Sequence, residues 1–188
     1  MIVAIDFGIT NTDVAVSNKS QYKFFSIPSK NANESFIDEI ISLVDIDITE
    51  ISQIVVTGGK SNELNESFKG VNLTKISETD AIGYGTKEIY KIENEPFITL
   101  SCGTGTACIH HQDGQFSYIG GIAVGGGTIS GLSKAILDSS SLEEITDLAL
   151  KGNRKNIDLL IGDVVNEIGI LNSNAVSYTH LTLPTNDR

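Results

Sequence analysis

Only two cysteines, Cys102 and Cys108, occur in the 188 residues. They are too few and too oddly placed for a disulfide framework, and no metal-ligand spacing of Cys and His appears; both read as small buried thiols. Positive charge is also scarce. Thirteen Lys and Arg face 24 Asp and Glu, a formal net charge of −11. A nucleic-acid binder would carry a basic face, so the balance argues against nucleic acid and against a surface tuned to anionic membranes. It leaves a phosphate ligand open, because backbone dipoles and a Mg²⁺ ion can hold the anion locally. No apolar run approaches the ~20 residues of a membrane span. The N-terminus reads as a strand rather than a basic-then-apolar leader. The expected compartment is a reducing cytoplasm, with no membrane partner.

What the chain does have is glycine at strand ends. Ile2-Val3-Ala4-Ile5-Asp6-Phe7 runs into Gly8-Ile9-Thr10-Asn11-Thr12-Asp13, and Phe97-Ile98-Thr99-Leu100-Ser101 runs into Gly103-Thr104-Gly105-Thr106. Each is a buried-strand pattern followed by a small Gly/Thr turn, which exposes backbone N–H groups and hydroxyls to phosphate oxygens. A third cluster, Gly120-Gly121 through Gly125-Gly126-Gly127, opens into Thr128-Ile129-Ser130 and a helical pattern to Leu137. A glycine-preceded helix N-terminus is an anion-binding geometry; tight packing of helix on sheet is the ordinary alternative use of such glycines.

The remaining periodicities predict strands at 14–16, 22–27, 54–56, 106–111 and near 116–119. Helices are predicted around 36–44, over 78–92 despite Gly83 and Gly85, and at 141–151 and 156–168. The order is three strands, helix, strand, helix, then three strands and helices again. His110 and His111 are adjacent on a strand and so point to opposite faces. From about Ser173 the composition changes abruptly to Asn174-Ala175-Val176-Ser177-Tyr178-Thr179-His180-Leu181. That run resembles a translated sequencing adaptor, so residues 173–188 are expected to be non-native and the natural protein to continue past about residue 172.

Four stretches, in order, resemble the sugar kinase, actin and heat-shock chaperone ATPase superfamily, and within it the type II pantothenate kinases. They are Ile5-Asp6-Phe7-Gly8-Ile9-Thr10, Thr57-Gly58-Gly59, Glu78-Thr79-Asp80-Ala81, and the block from Cys102-Gly103-Thr104-Gly105-Thr106 through Gly125-Gly126-Gly127. Leu148–Asp158 is also similar to the family. The resemblance implies an α/β, duplicated ribonuclease-H-like (actin-like ATPase) fold. It would comprise an N-terminal lobe over 1–92 and a partial, truncated C-terminal lobe over 93–172. The implied activity is ATP-dependent phosphorylation of pantothenate, the first step towards coenzyme A, by a homodimer.

By the same resemblance Glu78 is the general base, with Asp80 the rival carboxylate. Asp6 orients hydrated Mg²⁺ indirectly, through water. Asp6, Phe7, Gly8, Ile9, Thr10, Asn11, Thr12, Asp13 and Thr104 surround the phosphates, and Gly126, Gly127, Thr128, Ile129 and Ser130 approach ATP. Two positions depart from the family. Asp13 stands where relatives carry lysine, and Ser117-Tyr118 where they carry an arginine before the Gly-Gly pair. Gly8-Ile9-Thr10-Asn11-Thr12-Asp13 also resembles the opening of hydantoinase-type proteins. The competing expectations are therefore a kinase for another small alcohol, a hydantoinase-like ATPase, or a nucleotide-binding sensor without turnover.

Overall fold

A computed structural model describes residues 1–18, 21–59, 61–153 and 156. The expected helix at 156–168 and the expected non-native tail lie outside the described residues, save Asn156. By its internal contacts the chain divides into two compact units, Met1–Ile129 and the remainder from Ser130.

The first unit holds two sheets. In the larger, the strand order is β3-β2-β1-β4-β6-β5. Its members are β1 (Ile2–Phe7), β2 (Asn11–Asn18), β3 (Gln21–Pro28), β4 (Gln53–Thr57), β5 (Ser67–Phe68) and β6 (Val71–Lys75). The first three form the expected antiparallel meander, while β1, β4 and β6 run parallel. Strand alternation puts Val3, Ile5, Phe7, Val14, Val16, Ile54 and Val56 on one face, all buried. Helix α1 (Glu34–Leu43) covers that face with Phe36, Ile37, Ile40 and Ile41. Burial of each such side chain stabilises by about 1.5–3 kcal/mol. Asn33 caps α1: its side chain accepts from the Phe36 N–H at 2.9 Å.

The smaller sheet is an antiparallel β7-β8-β9 meander of Phe97–Cys102, Thr106–Gln112 and Gln115–Ile122. Strand β9 runs beyond the expected stretch near 116–119 to take in Gly120 and Gly121, and it pairs with β8 across an irregularity at Cys108/Ile109. Helix α2 (Glu78–Tyr90) packs against all three of these strands. Helix α3 (Gly126–Leu137) crosses the boundary between the units, and α4 (Leu142–Lys151) lies in the second. The Ser141 side chain caps α4 by accepting from the Glu144 N–H. Among the described residues no helix is long and apolar enough to cross a membrane.

The two glycines inside α2 are not alike. Gly83 is the one buried residue of the helix, whereas a Cβ at Gly85 would meet nothing within 4 Å. Glycine in a helix interior costs about 0.5–1 kcal/mol relative to alanine. Gly85→Ala is therefore expected to stabilise by that amount and to raise Tm by about 2–4 °C, checked by a thermal melt; no change or a fall would mean that Gly85 has a contact the fold conceals.

Candidate functional site

Parallel strands deliver their carboxyl ends to one edge of a sheet, which is where open α/β sheets place their ligands. Here β1 ends at Asp6-Phe7 and the Gly8 turn. Next to it β4 ends at Thr57 and the Gly58-Gly59 turn, and β6 ends at Lys75 just before α2. Asp6 is in register with Asp13 on one side and Thr57 on the other. Because Ile5 and Phe7 face the core, Asp6 faces away from it. It lines, with Asp13, Thr57, Ile76 and Ala81, a cleft of about 570 Å³ on the opposite face.

Asp6 is solvent-accessible, yet enough protein crowds its carboxyl to raise the pKa above 3.8. Desolvation is the main cause, followed by the charges of Glu78 and Asp13. Gly58 lies beneath it. At φ +72° it occupies a conformation that suits glycine, and a Cβ there would stand 2.3 Å from Asp6 Oδ1. The Thr57-Gly58-Gly59 motif thus makes room for the carboxylate, a role that its sequence alone does not disclose. Thr57 Oγ1 is buried at this edge without a hydrogen-bond partner.

Glu78 and Asp80 separate by what they touch. Asp80 belongs to the cap of α2: its N–H donates to Ser77 Oγ at 3.0 Å, and its carboxylate accepts from the Ser77 hydroxyl at 2.7 Å. Glu78, exposed on the first turn of α2, acts electrostatically on Asp6. Of the two carboxylates, Glu78 is the one whose charge bears on Asp6.

The two Gly/Thr turns meet. Thr10 Oγ1 and Thr104 Oγ1 lie 2.9 Å apart, hydroxyl to hydroxyl, although 94 residues separate them. The Gly8 turn is held by Ser29, whose hydroxyl donates to the Gly8 carbonyl and whose N–H donates to Thr10 O at 3.0 Å. Nothing in the sequence marks Ser29 for this task. Ile9, Thr10, Asn11 and Asp13 are exposed at this end.

Two expected phosphate-contacting side chains are placed elsewhere. Thr12 is fully buried, and its hydroxyl pairs with Ser29 Oγ at 3.1 Å. Strand β2 begins at Asn11, so alternation puts Thr12 on the core face with Val14 and Val16, and Asp13 on the cleft face. Phe7 is a core residue whose ring packs 6.1 Å from that of Phe36. Neither side chain reaches the opening.

The third glycine cluster also differs from the expectation. The Gly126 N–H donates to Gly103 O at 2.8 Å and the Gly127 N–H to Thr104 O at 3.1 Å. These two helix N-terminal donors stitch α3 to the second turn and do not point to open space. A Cβ on Gly125 would lie 2.6 Å from Gly105 O, and one on Gly127 would lie 2.7 Å from the Thr104 methyl. Close backbone approach is what these glycines secure, and it fixes Thr104. The Thr128 hydroxyl donates to Ala123 O at 3.4 Å, and Ile129 is exposed. Ser130 begins the second unit. Near the departure from the family pattern, Tyr118 folds its hydroxyl back over Gly121.

The arrangement suits a phosphate-bearing ligand with a cation. Three carboxylates, Asp6, Asp13 and Glu78, share one negative field, and two hydroxyls of facing turns converge beside it. Among the described residues no three His, Cys, Asp or Glu side chains could ligate one ion directly. His111, 1 % exposed, and His110 lie in β8.

The pattern of one protein family, Fumble, matches residues 83–181, more than half of the chain. A type II pantothenate kinase of Bacillus anthracis is 33% identical over 168 residues, covering 86% of this chain and 58% of the relative. Pantothenate kinase 1 of Arabidopsis thaliana is 33% identical over 112 residues, covering 56% of this chain and 29% of that protein. The chain thus spans a little over half the length of the Bacillus relative. Among solved structures, the activator of the 2-hydroxyisocaproyl-CoA dehydratase from Clostridium difficile, with bound ADPNP, superposes with a TM-score of 0.58 at 16% identity. It covers 81% of this chain and 57% of that one. A ROK family protein from Streptococcus pneumoniae in complex with sucrose gives 0.50 at 13% identity, covering 81% and 68%. These likenesses establish the actin-like, ribonuclease-H-like α/β fold.

Proposed function

Because the chain belongs to the Fumble family, we propose that the full protein phosphorylates pantothenate with ATP, the first step towards coenzyme A. The observation that carries this reading is the meeting of the two turns at Thr10 and Thr104 beside the Asp6–Glu78 pair. It supports a reading in which phosphate donors and a carboxylate base share one sheet edge. The named type II pantothenate kinases among the relatives support the substrate.

Bound MgATP supplies a transferable γ-phosphoryl group whose charge the cation offsets. The residues of this chain do the rest. Thr10 and Thr104 donate their hydroxyls to phosphate oxygens, their mutual hydrogen bond giving way to the ligand. The backbone of the Gly8 turn lines the same side. Asp6 would hold the hydrated cation through water, and Asp13 adds negative charge where a lysine would have opposed it. Glu78 accepts the proton of the attacking primary alcohol; a base so placed contributes about 10²–10⁴-fold. The same reading carries a cytoplasmic homodimer.

The test is ATP consumption by the full-length protein. It is expected to rise when pantothenate is added, with phosphopantothenate formed in equal amount. Turnover that ignores pantothenate but responds to another alcohol or to a hydantoin would replace the substrate, and nucleotide binding without any turnover would replace the enzyme by a sensor.

A further inference from the structure

Helix α2 carries Glu78 on its first turn and is otherwise lightly anchored: Gly83 is its one buried residue. The residue that buries it is Phe116 of β9. A Cβ at Gly83 would lie 2.2 Å from Phe116 Cδ1 and 2.5 Å from Cε1 and Cγ, inside the ring's own volume. The ring is itself braced. Phe97, His111 and Phe116 form one row across β7, β8 and β9, by register. The His111 ring stacks 4.7 Å from Phe97 and lies 4.9 Å from Phe116. From the helix side the Tyr84 ring meets Phe116 edge-on at 4.8 Å, and Thr99 Oγ1 donates to Thr86 Oγ1 at 3.1 Å.

A glycine in mid-helix is unfavourable unless something needs the space. Gly85 has no such neighbour; Gly83 has an aromatic ring. The joint also links the two halves of the proposed chemistry, because the sheet that bears Phe116 bears the Thr104 turn, and the helix that bears Gly83 bears Glu78. An α-helix transmits a shift at one turn to the next with little loss, and residues 78 and 83 are separated by only ~7.5 Å of rise.

We infer that the Gly83–Phe116 joint sets the position of Glu78 relative to the phosphate turn at Thr104, making Gly83 and Phe116 positioning residues for the base. The inference rests on Glu78 being that base. Phe116 seats the helix at one depth, and any side chain at residue 83 lifts the helix away from the second sheet and carries the carboxylate with it. Misplacement by about 1 Å costs on the order of 10²-fold in rate.

The experiment is a double-mutant cycle in the full-length protein, read by kcat, KM for ATP and hydrogen exchange of the amides of residues 78–82. Gly83→Ala is expected to lower kcat by about 10- to 100-fold with KM for ATP little changed, and to speed exchange in that first turn. Phe116→Val, which removes the ring the new methyl strikes, is expected to restore about tenfold of the lost kcat in the Gly83→Ala background and to slow exchange again. Gly85→Ala, the helix-propensity control, leaves kcat unchanged.

A Gly83→Ala variant with a lower Tm but an unaltered kcat overturns the inference, as does a loss that Phe116→Val does not rescue. Should Gly83→Ala fail to fold, Phe116→Leu replaces the ring by a smaller aliphatic chain without a clash; kcat equal to wild type in that variant is equally fatal. The exchange readout needs no turnover. If Glu78→Gln keeps full activity, the base assignment fails on its own, and unchanged exchange in Gly83→Ala would separately dispose of the joint.

Discussion

Glu78→Gln is expected to lower pantothenate-dependent turnover by about 10²–10⁴-fold while nucleotide affinity stays close to wild type. The substitution keeps the shape of the side chain and removes its ability to take a proton together with its charge, so the loss in the chemical step reports general-base catalysis while nucleotide affinity reports the charge. The geometry makes the companion variant informative. Asp80 is engaged with Ser77 in the cap of α2. Asp80→Asn should therefore cost helix stability, about 0.5–2 kcal/mol at most, and leave the chemical step largely intact. Single-turnover kinetics on both variants, with nucleotide titrations alongside, decide the matter. A silent Glu78→Gln together with a dead Asp80→Asn would transfer the role of base to Asp80.

The second large effect is expected at Asp6, and it has two opposite parts. Asp6→Asn should reduce turnover by ~10²-fold or more, as expected for a group that organises charge at the reacting phosphate. It should also raise Tm at neutral pH. The sign follows from the direction of the shift. The folded-state pKa of Asp6 is raised above 3.8, by desolvation first and by Glu78 and Asp13 second. The ionised carboxylate is therefore disfavoured by folding, and this penalty is fully present above the folded pKa. As pH falls through that pKa towards 3.8, wild-type Asp6 takes up a proton, the penalty fades, and the advantage of asparagine closes. Melting curves of both proteins from pH 7 down to 4 test this; parallel curves, or a variant less stable at pH 7, would refute it. Added Mg²⁺ with nucleotide should stabilise the wild type more than Asp6→Asn, because a ligand stabilises in proportion to its affinity for the folded state.

A gain in stability on neutralising Asp6, if measured, would be the mark of a site that binds a cation. Asp13 strengthens this character. Its register opposite Asp6 puts a second carboxylate where a lysine, the residue expected from the family pattern, would have supplied a cation from the chain itself.

Much of this was legible from residue order. Short apolar runs located β1, β4 and β7, the helical patterns located α1 and α4, and glycine placement located the turns. Alternation also held information that the motif obscured. Counted back from Val14 and Val16, Thr12 falls on the core face, and the structure buries it. The β5 strand of the short β5–β6 hairpin leaves no such mark, since Ser67–Phe68 is too short to show a period. The glycines at 125–127 carry the same composition whether they receive a phosphate or a carbonyl; only the bonds from Gly126 and Gly127 to Gly103 and Thr104 distinguish the two uses.

The sequence by itself determined the elements, the acidic character and the family, because periodicity, charge and motif order are properties of the chain taken residue by residue. Tertiary structure alone decided which residues share the site. The Thr10–Thr104 contact, the Gly58 space beneath Asp6, the charge of Glu78 acting on Asp6, and the Phe116 ring against Gly83 each join residues that local pattern treats independently. The physical reason is that parallel strand ends and a helix seated on a second sheet bring distant segments within hydrogen-bonding and van der Waals range. Those short-range forces depend on separation in space and are blind to separation along the chain.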